Sequence, residues 1–381
     1  MEDSASDGAS ALPLTGGTWV QLSGSHLLIG GEGMYKFLNK DICPICFKYE
    51  FEKKDSTDAC PVCGWIYDEN QIINPNLKGS NKKTLNEALK DYRQKKFPEE
   101  CAEKEQYKAA IYGSIVGGAV GDALGYPIEF FREDEIFSRF GKEGLQEYIV
   151  DDRTGKAHIS DDTQMTLFTA AGMLIGDTRG CMRGIRGVPS AYIRSVYIGW
   201  LRTQEELYRD RSDDEFNARD CWLLDVPELF SRRAPGNTCL SALKIHKRDA
   251  AYAEAYNPTN MCEGFVGLRL NTSKGCGGIM RVAPLGVCYK NLRQELLDKE
   301  GAEIAAITHS HSLGHMPAAV LAHILHSIVY YRNGRSLEEI VVEARYCIYQ
   351  MYRDDKHIME LVDKINLAIE LSKNSNSDLN S

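Results

Sequence analysis

From about residue 102 onward, apolar residues recur three and four positions apart, the spacing that lines one face of an α-helix. The pattern predicts a helix over 104–124, then others over about 163–176, 190–208, 213–230, 237–250, 300–309, 315–332, 336–353 and 357–373. Residues 84–95 are also amphipathic, with Leu85, Ala88, Leu89 and Tyr92 on one side. Nearer the start, 18–22 and 26–29 flank Ser23-Gly24-Ser25 and predict a hairpin, inside a small polar stretch (1–40) that otherwise reads as a flexible tail. Phe97-Pro98-Glu99-Glu100 breaks the pattern and predicts a domain boundary. The fold class is therefore mainly α.

Two features of the pattern call for more than a solvated helix face. Gly113, Gly117 and Gly121 lie four apart in 104–124 and so fall near one side. Each glycine costs about 1 kcal/mol against Ala in a helix, which predicts close approach by another helix or a ligand. Ser160-Asp161-Asp162-Thr163 precedes an apolar helical run. These four hard oxygen donors suit magnesium, and they equally suit a helix N-terminus, where Ser and Asp cap free N–H groups and offset the dipole.

Composition narrows the function classes. The 381 residues are 43% hydrophobic and 26% charged, ordinary for globular domains, and allow two or three of them. A net charge of -9 argues against a protein that grips nucleic acid by bulk electrostatics. The start is acidic, without the pattern of an export signal, and the most membrane-like run, 109–125, carries Asp122 and is shorter than a bilayer requires. No membrane role is expected, and the twelve cysteines read as thiols or metal ligands of a cytoplasmic protein.

Four of those cysteines have a pattern. Cys43-Pro44-Ile45-Cys46 and Cys60-Pro61-Val62-Cys63 are two Cys-x-x-Cys knuckles with thirteen residues between them, the spacing of a tetrahedral zinc site rather than of a redox pair. A closed shell of four thiolates holds a fold and does no chemistry. The surroundings, with Trp65, Asp68, Asn74-Pro75-Asn76, Ser80-Asn81 and Leu85-Asn86-Glu87-Ala88, resemble the small cysteine-rich family named for its Cys-Pro-Cys-Cys motif, although Ile45 stands where a third cysteine is frequent. The basic side of 84–95 suits an acidic partner or, more simply, water.

Farther on, 275–278 (Gly-Cys-Gly-Gly) can present consecutive N–H groups to phosphate oxygens. His309, His311 and His315 read as polar pocket lining, since no cysteine or carboxylate stands close to them in sequence. Together with the stretch from Gly113 to Glu129, the Ser160 motif, and Ala234-Pro235-Gly236-Asn237-Thr238, these segments resemble, in order, the ADP-ribosylglycohydrolase family over residues 105 to 381.

The resemblance implies an orthogonal helical bundle, following a cysteine-rich zinc ribbon over 41–97. It also implies a two-magnesium cleft in which ADP-ribose is cut from an ADP-ribosylated protein or a related ADP-ribosyl compound. Carried over residue by residue, Ser160, Asp161 and Asp162 become magnesium ligands and Glu129 a water-activating base or further ligand. Gly275, Cys276, Gly277 and Gly278 become the pyrophosphate cradle, and Asn237 and His309 the ADP-ribose pocket. The family's later Asp-x-Asp-Thr segment has no counterpart here. Half the magnesium shell and the C-terminal part of the domain are thus expected to be missing. That leaves an alternative, a catalytically impaired module that binds ADP-ribose without cutting it.

Overall fold

The structure is a computed structural model. It describes the backbone of 12–13, 19–23 and 26–30, and residues 43–378 apart from 47, 97, 186, 211–220 and 249–263. The chain divides into two compact units, Met1–Lys108 and Ala109–Ser381.

In the first unit β1 (Leu12–Pro13), β2 (Trp19–Ser23) and β3 (His26–Gly30) form an antiparallel sheet in that order, with Trp19 opposite Gly30. The expected hairpin is therefore present. The rest of the expected tail lies outside the described residues. Helix α1 (Glu69–Ile73) is capped by Asp68, whose carboxylate accepts the Gln71 N–H at 3.1 Å. Helix α2 (Leu85–Lys96) buries Leu85 and Leu89 against Phe51, Trp65, Tyr67 and Ile72. This small core also includes three of the four knuckle cysteines, so packing and the cysteine cluster reinforce each other.

The second unit is helical among its described residues. Helix α3 (Pro98–Gly125) contributes its residues from 109 on, and Pro98 at its first turn lacks only an N–H that needs no intrahelical acceptor. Helix α4 (Glu133–Phe140) follows, then α5 (Asp161–Arg183), α6 (Pro189–Glu205), α7 (Asn237–Arg248), α8 (Ala283–Cys288), α9 (Gln294–Ala306), α10 (Ser312–Tyr330), α11 (Leu337–Met351) and α12 (Ile358–Asp378).

Helices α5 and α6 pair closely because Gly172 has no side chain: a Cβ there would lie 2.7 Å from Cα of Ile193. Helix α10 is the hub, packing on α8, α9, α11 and α12. By length and composition α10 alone among the described helices would suffice to cross a membrane, and just over half of it is buried within the fold. The main core joins Phe168, Ile193, Tyr197, Trp200, Leu243, Leu285, Leu297 and Ile304. Each such buried side chain contributes about 1.5–3 kcal/mol over an exposed one. A second cluster around Met316, Ala344, Ile348 and Ile358 fixes α11 and α12 to α10.

One expectation is corrected and another is narrowed. The helix expected over 213–230 is not one: its described part holds two 3-10 turns, Trp222–Asp225 and Pro227–Leu229. Pro227 cannot donate into a helix and keeps Val226 extended (φ -96°, ψ 105°), which divides the segment. At the glycine stripe of α3 the expected neighbour is not another helix, since a Cβ at Gly113, Gly117 or Gly121 would meet nothing within 4 Å among the described residues, which leaves the ligand of the two expected neighbours. On the same stretch Tyr112, Val116 and Val120 are exposed.

Candidate active site

Helix α5 starts where it does because Ser160 caps it: the hydroxyl accepts the Asp162 N–H at 3.1 Å, and Ser160 itself is extended. The far end closes on Gly184 in the left-handed region, φ 70°. Ser160-Asp161-Asp162 is thus a helix cap, as the simpler expectation had it. The N-terminus is held by Asp122, near the end of α3. One Asp122 carboxylate oxygen accepts the Ser160 N–H at 2.9 Å, the Thr163 N–H at 3.2 Å and the Thr163 hydroxyl.

The two carboxylates of the first turn have different surroundings. Asp161 is buried and turns toward the loop before α7, where Gly236 N–H donates to its Oδ2 at 3.2 Å. Its own N–H donates to the Arg233 carbonyl at 3.0 Å, so this residue stitches α5 to the 231–237 loop. Asp162 stands near Asp122 and Glu129. Burial, then repulsion from Asp122 and Glu129, pushes the Asp162 carboxyl up to about 6. Burial also raises Asp161, to about 7, with the Gly236 N–H opposing and the charges of Asp162 and Glu129 adding to the rise. Glu129, just past the 3-10 turn Tyr126–Ile128, is raised by burial and by Asp122. The structure therefore brings Glu129, Asp161 and Asp162 within electrostatic reach of one another. It does not gather them into one tight shell: among the described residues, only the four knuckle cysteines bring three or more acidic, His or Cys ligand atoms within 4.8 Å of one another.

The second half of the site is a lacing of loops. Thr238, in the first turn of α7, donates its hydroxyl to that of Ser273 at 3.2 Å. Asn271 donates to the Thr308 carbonyl at 2.8 Å, and its side-chain oxygen accepts the Ser273 N–H at 3.1 Å. This carries the glycine loop onto the start of α10. Gly275, with Cys276, Gly277 and Gly278, forms a short turn, and the Gly275 N–H donates to the Ser273 hydroxyl oxygen at 3.3 Å. A Cβ on Gly277 would lie 2.9 Å from Cε1 of His309 and 3.1 Å from Sγ of Cys239. One on Gly278 would lie 2.5 Å from the Gly314 carbonyl oxygen. These glycines are needed for packing, whatever else they do. Asn237 is exposed at the first position of α7.

His309 is buried, with Nδ1 2.9 Å from the Thr308 hydroxyl. Burial, helped by the charges of Arg281 and His315, lowers its pKa to about 3, so it is a neutral ring. His315 is buried with Nδ1 3.2 Å from the His309 carbonyl, while Nδ1 of His311 accepts the Leu313 N–H at 3.0 Å and caps α10.

Two residues of this region had no role assigned from sequence. Asp122 was visible in the α3 motif, but its partners lie 38 and 41 positions away. Arg281 is fully buried and donates to the Thr308 hydroxyl at 2.6 Å and to the Ile304 carbonyl at 3.3 Å. Its guanidinium lies 4.7 Å from the centre of the Tyr197 ring, without an ion pair among the described residues. The signal available in the sequence was an Arg directly after an apolar run.

The cysteine cluster is separate. Cys43 Sγ lies 3.5 Å from Cys63 Sγ, and Cys46 Sγ 3.5 Å from Cys60 Sγ. A tetrahedron of sulfurs about 2.3 Å from a metal has edges of about 3.8 Å, close to this arrangement. Gly64 at φ 77° lets its N–H reach the Cys60 carbonyl at 2.8 Å, and Cys60 N–H reaches the Trp65 carbonyl at 2.8 Å. The four cysteines are positioned to bind a metal.

Comparison with family models settles what the helical unit is. The model described as ADP-ribosylglycohydrolase matches residues 103–379. The chain belongs to the ADP-ribosylglycohydrolase family. The model described as cysteine-rich CPCC matches residues 41–108. No curated protein matched the chain. As an ADP-ribosylglycohydrolase it is a hydrolase of ADP-ribose linkages, and its helical unit, its capped acidic turn and its glycine loop are read in those terms.

Proposed function

We propose that this ADP-ribosylglycohydrolase uses magnesium to hydrolyse the glycosidic bond between ADP-ribose and a modified protein side chain or a related ADP-ribosyl compound. One observation carries the reading: Asp122 ties the start of α5 to the end of α3, which sets Asp161 and Asp162 near Glu129, and burial together with the neighbouring carboxylates raises them to about 7 and about 6. Carboxylates that disfavour one another's ionisation in a partly buried site gain most from an added cation. The donors are hard oxygens, and magnesium needs only one or two carboxylates directly because it keeps several waters. Ser160, Asp161 and Asp162 would hold the metal, which when bound supplies Lewis-acid polarisation of ribose oxygens.

The chain's own groups supply the rest. Glu129, raised by its surroundings, takes a proton from the attacking water as ribose C1 becomes oxocarbenium-like and the bond to the leaving group breaks. The loop of Gly275, Cys276, Gly277 and Gly278 cradles the pyrophosphate, and Asn237 and neutral His309 bound the ADP-ribose pocket. The organisation we propose is a ribbon over 41–97, held by zinc on Cys43, Cys46, Cys60 and Cys63, followed by a hydrolase domain from about 105. Four thiolates kept for a metal fit a reducing compartment such as the cytoplasm.

Calorimetry with ADP-ribose, run beside an assay for released ADP-ribose, tests this. Magnesium-dependent release supports a hydrolase. ADP-ribose binding with no release at saturating magnesium from any of several ADP-ribosylated proteins would establish the binding module instead.

A further inference from the structure

Arg281 is a cation sealed inside the helical unit with no carboxylate beside it. It is 0% exposed, and its guanidinium makes no ion pair with a described residue, lying instead 4.7 Å from the centre of the Tyr197 ring. A buried charge without a counter-charge is costly, so its placement calls for a reason. Part of that reason is local. The carbonyls of Ile304 and Ala305, at the end of α9, accept from Nη2 at 3.3 and 3.4 Å, where a helix favours positive charge. The shortest bond of the guanidinium goes elsewhere, to the Thr308 hydroxyl at 2.6 Å.

That bond starts a chain with one direction. A guanidinium only donates, so the Thr308 oxygen accepts and its own proton is left to donate. Nδ1 of His309 lies 2.9 Å away to receive it. Cys239, 3.9 Å from the same hydroxyl, already accepts Arg281 Nη1 on its sulfur at 3.6 Å. His309 is neutral and carries one ring proton; with Nδ1 accepting, that proton sits on Nε2. Nε2 lies on the side of the glycine loop, where a Cβ on Gly277 would stand 3.3 Å from it and one on Gly275 3.7 Å. It has no hydrogen-bond partner among the described residues, and unlike the unpaired Nε2 of His323 it is not sealed from solvent. A reachable donor, polarised from behind by a buried cation, suits an anionic oxygen.

We propose that Arg281 and Thr308 are positioning residues that hold His309 in its Nε2–H tautomer, so that this N–H donates to a pyrophosphate oxygen of ADP-ribose at the glycine loop. The identity of the anion rests on the function proposed above; the chain of bonds does not. In this role His309 gives a hydrogen bond and neither takes nor releases a proton during the reaction. Arg281 acts on the anion only through the two side chains between them. A mere staple on the end of α9 would need neither the Thr308 hydroxyl nor a fixed tautomer.

The test reads the ring nitrogens of His309 by long-range proton–nitrogen correlation, in the full chain labelled with nitrogen-15 at histidine. The signals are assigned from their loss in His309→Gln or, if that variant does not fold, from their proximity to the Gly277 α-protons. In the free parent the proposal expects a proton on Nε2 and none on Nδ1, and a shift of the Nε2 signal when ADP-ribose binds. Thr308→Val, which keeps the shape and removes the hydroxyl, should populate the Nδ1–H tautomer. By calorimetry it should bind ADP-ribose about tenfold or more weakly, as when one hydrogen bond to a charged group is lost. Thr308→Ser should restore both tautomer and affinity. An Nδ1–H tautomer in the parent, an unaltered tautomer in folded Thr308→Val, or equal weakening by Val and Ser would each overturn the proposal. If Thr308→Val does not fold, the tautomer of the parent and its Nε2 response to bound ADP-ribose decide. A parent that binds no ADP-ribose would overturn the proposed function and the donation with it, while the tautomer, read without ligand, separately decides the relay.

Discussion

Gly277 and His309 are packed so closely that a methyl group on the glycine would stand 2.9 Å from the ring of the histidine. His309 in turn is anchored through Thr308 to buried Arg281. Shape, not only the flexibility of glycine, therefore dictates residue 277. Gly277→Ala is expected to destabilise the fold by about 1–3 kcal/mol through overpacking. It should also weaken ADP-ribose binding more than it shifts the melting of the cysteine-rich unit. Thermal melting and calorimetry on the same preparation check both; unchanged stability would mean that the histidine yields freely.

The grip of Asp122 on the start of α5 makes a second expectation. Its carboxylate accepts from two backbone N–H groups and one hydroxyl. Asp122→Ala leaves these donors short of an acceptor, at about 1–3 kcal/mol for a buried group. Because Asp122 also repels Asp162 and Glu129, its removal should lower the pKa values of both carboxyls. Carboxyl carbon resonances followed against pH report this directly. A drop in stability with no change in either titration would confine Asp122 to capping.

Removing metal from the cysteine-rich unit should unfold that unit. Its described core is ten buried residues, three of them knuckle cysteines, too little to stand alone. Chelator, or Cys60→Ser, is expected to release the Trp65 environment while the far-ultraviolet helix signal of the larger unit persists. Retained protection of the Trp65 indole after complete loss of the metal would argue for a fold held by packing alone.

The acidic residue Glu300 gives a pH dependence with a definite sign. It sits on α9, buried, and accepts the backbone N–H of Ser190 at the start of α6. Burial, only partly offset by bonds from Ser190, raises its pKa from 4.5 to about 7. The folded state therefore holds this proton more tightly than the unfolded state does. Its contribution to stability is present in full below about 4.5 and is lost as pH rises toward 7. Urea midpoints across that window should fall less steeply in Glu300→Gln than in the parent chain; equal slopes would assign the dependence to other groups.

Much of this was legible in the sequence because the signals are local. Ser160 announces the start of α5, the two knuckles announce their cluster, and the apolar spacing of α6, α10 and α11 gives those helices directly. What was hidden depends on partners far along the chain. Asp122 acquires its role only when α5 folds against α3, and Arg281 only when Thr308 and Tyr197 surround it. The stretch around Pro227 misled because Leu223, Leu224, Leu229 and Phe230 imitate helical spacing, and one proline outweighs them. The α3 glycines show another limit, since spacing alone does not say whether a helix or a ligand approaches.

The central claim, that the acidic turn of α5 works with magnesium, is tested most directly by the rate of ADP-ribose release from an ADP-ribosylated protein. It is measured as magnesium is titrated, in the parent chain and in Asp162→Asn. The account expects release that rises and saturates with magnesium in the parent, and a loss of about a hundredfold or more in the variant, of the size seen when a metal site loses a ligand or its support. Release that ignores magnesium, or that survives intact in Asp162→Asn, would contradict it.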